Sequence, residues 1–221
     1  MRKILMEQTP IPTEQAVRSQ SRGGYRVNEI FFSVQGEGRL AGTPMVFIRF
    51  SDCNLRCSVV NAGFDCDTEF MSGRYRDIDD ILADAEALNP RKGWLLFTGG
   101  EPALQLDAPL VTTAKRRGWR LAIETNGTIK LPEGLDWICV SPKTAEHTLR
   151  QRTADEVKYV RQVGMEIPEP TIKATHHLIS PPFMPNGFMR LEDLEWCIEL
   201  VKANPEKWSL SFQYHKLLQV R

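Results

Sequence analysis

The chain lacks a net charge: 28 Lys and Arg stand against 28 Asp and Glu in 221 residues. That balance removes the electrostatic argument for non-specific nucleic-acid binding, so no nucleic-acid partner is expected. It also lacks any apolar run near the ~20 residues of a membrane helix, and MRKILMEQTPIPTEQ breaks off too early for a signal-peptide core. No membrane partner and a cytoplasmic location are therefore expected. Cysteine is sparse and odd in number, five in all. In a reducing cytosol an odd count argues for thiols, metal ligands or catalysts rather than a disulfide scaffold. Internal repeats and low-complexity tracts are missing too, which excludes solenoids and fibres. What is present, 42% hydrophobic and 25% charged residues, is the make-up of an ordinary globular protein.

Residues 1–24 are rich in Gln, Ser, Thr, Pro and Arg without an apolar period, and predict a flexible extension. Residues 25–221 predict one domain. Strands are expected at 45–50 (MVFIRF), 94–97 (WLLF), 119–124 (WRLAIE), 136–141 (DWICVS), 171–179 (TIKATHHLI) and 208–213 (WSLSFQ). Helices are expected at 77–89, 103–118, 154–163 (ADEVKYVRQV) and 191–204. The unusual polar groups follow the strands: SDC, TGGEP, TNG, SPK, HH and QYHK. Chemistry at the C-terminal ends of strands marks an α/β protein, here an incomplete, open β/α barrel of about six parallel strands, whose active site lies at those ends.

Three cysteines, Cys53, Cys57 and Cys66, fall within SDCNLRCSVVNAGFDCDTEF at C-x3-C-x8-C spacing. Two readings stand. A structural zinc would need a His or Asp as fourth ligand, with His147, His176, His177 and His215 available only at long range. Cys139 and Cys197 lie singly in apolar segments and predict buried thiols. Alternatively, three thiolates hold a 4Fe-4S cluster and leave one iron open, and an open metal position is where chemistry happens. TGGEP at 98–102 suits such a site, because paired glycines let backbone approach a ligand and Glu101 offers a carboxylate to a cationic amine. Arg49, ending an apolar strand, can grip a carboxylate bidentately, or form a structural ion pair with Glu37 or Asp52.

FFSVQGEGRLAGTPMVFIRFSDCNLRC, CDTEF, FTGGEPALQ, IETNGT, VSPK and SFQYHK occur in this order. The set resembles the 7-carboxy-7-deazaguanine synthase family of queuosine biosynthesis, within the radical S-adenosylmethionine superfamily. One departure stands out: the superfamily's usual C-x3-C-x2-C gains six residues between the second and third cysteines, a lengthening that costs little in loop closure. The resemblance implies a radical S-adenosylmethionine partial barrel with Cys53, Cys57 and Cys66 as the 4Fe-4S ligands. It implies S-adenosylmethionine at Asp65, Cys66, Asp67, Gly100, Glu101, Ser141, Pro142 and Lys143, and a Mg2+ ion at Thr68. The implied substrate, 6-carboxy-5,6,7,8-tetrahydropterin, falls to Val34, Gln35, Gly36, Arg49, Thr98 and Arg221. Gln35 and Glu37 match the donor edge of a pterin, although QGEG also reads as a hairpin turn. Hydrogen abstraction by a 5′-deoxyadenosyl radical, ring contraction and loss of ammonia are the implied reaction, with the cofactor regenerated. A flavodoxin or ferredoxin-like electron donor and a homodimer are the implied partners. Gln213, His215, His176 and His177 stand open between the site and packed strand positions. The rival functions are a radical activase acting on a partner protein and a zinc-stabilised binding module.

Overall fold

Alternation of side chains along successive strands decides which face of the sheet carries chemistry. The computed structural model describes residues 24–58, 66, 68–184 and 188–218. The proposed extension, apart from Gly24, and residues 59–65, 67 and 219–221 lie outside the described residues. The described residues open with β1 (Tyr25–Val34), which turns back antiparallel onto β2 (Pro44–Phe50). QGEG belongs to their hairpin connection, closed by the Gln35 amide donating to Thr43 O at 2.8 Å and the Gly42 amide donating to Gln35 O at 2.7 Å. A short β3 (Arg74–Arg76) pairs antiparallel with the outer edge of β1.

The remaining elements are α1 (Ile78–Leu88), β4 (Trp94–Gly99), α2 (Ala108–Arg116), β5 (Arg120–Thr125), β6 (Trp137–Val140), β7 (Thr153–Val160), β8 (Lys173–Ser180), α3 (Leu191–Ala203), β9 (Ser209–Leu210) and α4 (Tyr214–Leu218). Among the described residues the sheet has nine strands in the order β3-β1-β2-β4-β5-β6-β7-β8-β9, parallel from β2 onward. It stays open, with β3 and β9 as its edges. No helix among the described residues is long and apolar enough to cross a membrane.

Six strands were expected, and β2, β4, β5, β6, β8 and β9 occupy those segments. The helix expected over 154–163 is instead β7, in the interior of the sheet. Its four residues from Glu156 to Tyr159 are all buried, with Val157 and Tyr159 packed into an apolar cluster beside Trp208 and Ile179. Period two therefore governs this segment: apolar side chains leave one face while Glu156 and Lys158 leave the other. The charged residues imitate the polar face of a helix because that face of the sheet is itself polar, Lys158 lining a polar cavity there.

Asp77 and Asp107 start α1 and α2 by accepting from the amides of Asp80 and Leu110, which satisfies donors that a helix start leaves open. Both helices cover one face of the sheet, Ile81, Leu82, Leu110 and Val111 packing on Ile48, Phe50, Leu95, Phe97, Leu121 and Ile123. Each such side chain contributes ~1.5–3 kcal/mol by leaving water. The opposite face holds a small floor, where Phe47 registers with Leu96, Leu96 with Ala122, and Ala122 with Trp137. Two residues further along each strand the same face carries Arg49, Thr98, Glu124, Cys139 and, on β7, Glu156. An apolar floor thus supports a polar layer directed at the C-terminal ends of the strands.

Candidate active site

The cysteine loop leaves β2 at Ser51 and is tied at its neck. The Asp52 amide donates to Phe70 O at 2.9 Å, and Ser51 Oγ donates to Ser72 O at 2.5 Å. Arg26 on β1 donates to Asp52 Oδ1 and to Met71 O, each at 2.6 Å. Asn28 donates to Glu69 Oε2 at 2.6 Å, and the Ser72 hydroxyl and amide, with Asn28, hold the Glu69 carboxyl down to about 2. Inside the neck Asn54 donates to Thr128 Oγ1 at 2.8 Å and accepts from Asn126 Nδ2 at 3.0 Å, joining the cysteine loop to the turn after β5. These bonds fix the base of the cysteine loop on both sides.

Cys53, Cys57 and Cys66 line one cavity together with Gly99, Gly100, Ser141 and Lys143. Burial pushes the Cys53 thiol up to about 12, and metal binding to a cysteine displaces its proton. Among the described residues, no group of three or more His, Cys, Asp or Glu side chains converges to hold a single ion. Three thiols around one cavity that do not meet at one point suit a cubane, in which each thiolate takes a different iron. None of the four histidines lines this cavity, so none of them stands as the fourth ligand of a zinc site there. The donor set fits the iron–sulfur cluster.

Gly99 adopts φ +134°, and a Cβ on Gly100 would sit 2.2 Å from Asp52 O and 2.9 Å from Cys53 Cβ. Only glycine allows this strand end to approach the cysteine loop so closely. Glu101 is fully buried behind the wall. Its Oε1 accepts from the Ala103 amide at 2.9 Å and Thr125 Oγ1 at 2.6 Å, and its Oε2 from the Asn126 amide at 2.7 Å. Burial pushes this carboxyl up against the pull of those donors. Glu101 thus fastens two strand-end turns together, while the cavity surface belongs to Gly99 and Gly100. Lys143 donates to Ser141 Oγ at 2.5 Å and to Ser141 O at 3.1 Å, and Pro142 between them is buried. Asp65 and Asp67 lie outside the described residues.

A second cavity adjoins the first and gathers Val34, Gln35, Gly36, Arg49 and Thr98. Arg221 lies outside the described residues. Phe31 and Phe47 stack here with ring centroids 4.8 Å apart, and the Arg49 guanidinium lies 5.8 Å from the Phe31 centroid. Arg49 Nε donates to Glu29 Oε1 at 2.9 Å. Its ion-pair partner is therefore Glu29, directly across the β1–β2 ladder, rather than Glu37 or Asp52. Asp52 pairs with Arg26, and Glu37 with Lys158.

Glu37, Thr68, Thr98, Glu124 and Gln213 line both cavities. Gln35 Nε2 donates to Glu124 Oε1 at 3.0 Å, and Thr98 Oγ1 donates to Glu124 Oε2 at 3.3 Å. Burial pushes Glu124 up, and Lys158 opposes it. For Glu37 burial also acts upward, but Lys158 together with Gln213 and His215 holds the carboxyl below the usual carboxylate range. His215 lines the second cavity and packs over Gly36, whose added Cβ would lie 2.3 Å from His215 Nδ1. His176 instead stacks on Trp137, and His177 meets Trp208 edge-on, 5.7 Å between ring centroids; neither lines either of these two cavities. Glu124 and Lys158 escaped the sequence reading. Glu124 ends a recognised strand immediately before TNG, which was a usable signal, whereas Lys158 was hidden by the helical reading of β7.

No protein-family model matches the chain. Curated relatives do. The 7-carboxy-7-deazaguanine synthase of Nitratidesulfovibrio vulgaris is 39% identical over 221 residues, covering 89% of this chain and 99% of the relative. That of Bacteroides thetaiotaomicron is 38% identical over 196 residues, covering 89% and 98%, and that of Burkholderia multivorans 37% over 215 residues, covering 89% and 99%. The chain belongs to the 7-carboxy-7-deazaguanine synthase family. The crystal structure of QueE from Escherichia coli shares the fold, with a TM-score of 0.67 over 92% of this chain and 100% of that one, at 22% identity. As a member of this family the chain has its cysteine loop, its glycine pair and its QGEG hairpin on three separate strand ends of one open sheet.

Proposed function

We propose that the chain converts 6-carboxy-5,6,7,8-tetrahydropterin to 7-carboxy-7-deazaguanine with loss of ammonia. One observation carries the reading: the cysteine cavity and the Arg49 cavity share a wall of Glu37, Thr68, Thr98, Glu124 and Gln213. A cofactor in one cavity and a substrate in the other would meet across that wall, the close approach that intramolecular-like reaction demands. Cys53, Cys57 and Cys66 would hold a 4Fe-4S cluster, with S-adenosylmethionine against Gly99, Gly100, Ser141 and Lys143. When bound, these cofactors supply a carbon-centred radical that takes a hydrogen atom from the substrate.

The chain's own residues do the rest. Arg49, steadied by Glu29 and the Phe31 face, presents its guanidinium to the pterin carboxylate. Phe31 and Phe47 give the ring a flat apolar seat. Gln35, Glu37, Glu124 and Gln213 meet its polar edge. Thr68, on the shared wall, would contact a Mg2+ ion whose other ligands are substrate oxygens and water. The floor below excludes water from the reacting side. A flavodoxin or ferredoxin-like donor would deliver the electron, and the working form would be a cytoplasmic homodimer.

The test is an anaerobic incubation of reconstituted protein with S-adenosylmethionine, reductant, Mg2+ and the carboxypterin. Formation of 7-carboxy-7-deazaguanine is expected. A colourless protein that binds zinc and leaves the pterin intact would overturn the reading in favour of a binding module, and radical formation on a partner polypeptide in favour of an activase.

A further inference from the structure

Lys158 sits on an interior strand with its side chain only 5% exposed. Burying an ammonium costs several kcal/mol unless a partner compensates it. The partner is Glu37, whose Oε2 accepts from Lys158 Nζ, while Glu37 Oε1 accepts from Gln213 Nε2 at 2.6 Å. The Glu37 amide donates to Gln35 Oε1 at 3.1 Å. That bond turns the Gln35 amide so that its Nε2 faces Glu124. Lys158 therefore anchors a chain of hydrogen bonds running along the wall between the two cavities.

Charged groups act on Glu37 from several elements, Lys158 from β7, Glu124 from β5, Lys143 from the turn after β6 and His215 from α4, while Glu156 on β7 acts on Glu124. Without Lys158 the shared wall would hold Glu37 and Glu124 together, with Glu156 acting on Glu124 from β7, and buried like charges take up protons. A protonated Glu37 would turn one oxygen into a donor. A carboxylate offers about four acceptor sites; Lys158 and Gln213 occupy two, leaving acceptors for a ligand.

We infer that Lys158 is a positioning residue: it keeps Glu37 charged and fixed at the junction of the cavities, so that the junction offers acceptors to the N–H edge of an aminopyrimidinone ring. This rests on the proposed function and deepens it, since it names the substrate feature that the junction reads. Lys158 acts through Glu37, and the two should behave as one unit.

The test is anaerobic titration calorimetry of carboxypterin into the reconstituted holoprotein with S-adenosylmethionine and Mg2+ present, with iron content measured alongside. Lys158→Met and Glu37→Gln should each weaken binding about tenfold or more with iron loading retained. The double variant should bind no more weakly than the worse single one, and Lys158→Arg should recover most of the affinity. Wild-type affinity in Lys158→Met, or losses that add in the double variant, would overturn the inference and leave the proposed function standing. A wild-type protein that binds S-adenosylmethionine but not the pterin would overturn both. If Lys158→Met does not fold, Glu37→Gln is compared with the double variant, in which neither member of the Lys158–Glu37 pair is left without the other: equal affinity supports the inference and further loss overturns it.

Discussion

Gly100→Ala tests how the cysteine loop is held. The added Cβ would lie 2.2 Å from Asp52 O, 2.7 Å from the Asp52 carbonyl carbon and 2.9 Å from Cys53 Cβ. Relief to ordinary contact requires a shift of about 1 Å, and such overpacking costs ~1–3 kcal/mol. Asp52 cannot yield freely. Its carbonyl accepts from the Glu101 amide at 2.9 Å, its own amide is bonded to Phe70 O, and its carboxylate to Arg26. Losing the first of these bonds adds ~0.5–1.5 kcal/mol, so the total is about 2–4 kcal/mol. A ligand moved by about 1 Å exceeds the ~0.5 Å tolerance of a pre-organised site. Iron and sulfide per chain after anaerobic reconstitution should fall well below wild type, and the thermal midpoint should drop. Gly42→Ala is the control: its φ is +84°, and nothing lies within 4 Å of the added Cβ. It should cost only ~1–2 kcal/mol of backbone strain and load iron normally. Wild-type iron loading and stability in Gly100→Ala would refute the close approach.

Cys66→Ala should abolish cluster loading and 5′-deoxyadenosine formation, and an iron-replete, active variant would show the third ligand to be misassigned. Arg49→Ala should weaken carboxypterin binding roughly tenfold to a hundredfold by calorimetry, the worth of a charged hydrogen-bonded contact. Unchanged affinity with lowered stability would reduce Arg49 to a structural partner of Glu29. Thr68→Ala should raise the Mg2+ concentration needed for half-maximal turnover while iron content stays at the wild-type level; an unaltered Mg2+ dependence would remove Thr68 from the metal's contacts.

Much of this was readable in the residues, for physical reasons. Cys53, Cys57 and Cys66 declare themselves because few roles other than metal binding draw three thiols so close in a reducing cell. Strands such as MVFIRF and WLLF show because their covered faces make them continuously apolar. β7 did not, because its inward face answers to the cavity rather than to the core. β1 was missed since Asn28 and Glu29 interrupt its apolar pattern to serve the cysteine loop and Arg49. β3, three residues long, exists only through its pairing with β1. The Arg49 partner depended on strand register, which places Glu29 opposite it across the hairpin, and register is a property of two segments that neither encodes alone.

The wall common to the two cavities limits how the protein could be retargeted. A substitution at Glu37, Thr98, Glu124 or Gln213 touches the space on both sides, so a change that admits a new ring also disturbs the chamber behind it. Asn28, Glu29, Phe31, Phe47 and Arg49 line only the outer cavity. Directed evolution toward other heterocyclic acids should therefore gain its first viable variants on the β1–β2 hairpin, with the partition reached later and through paired substitutions.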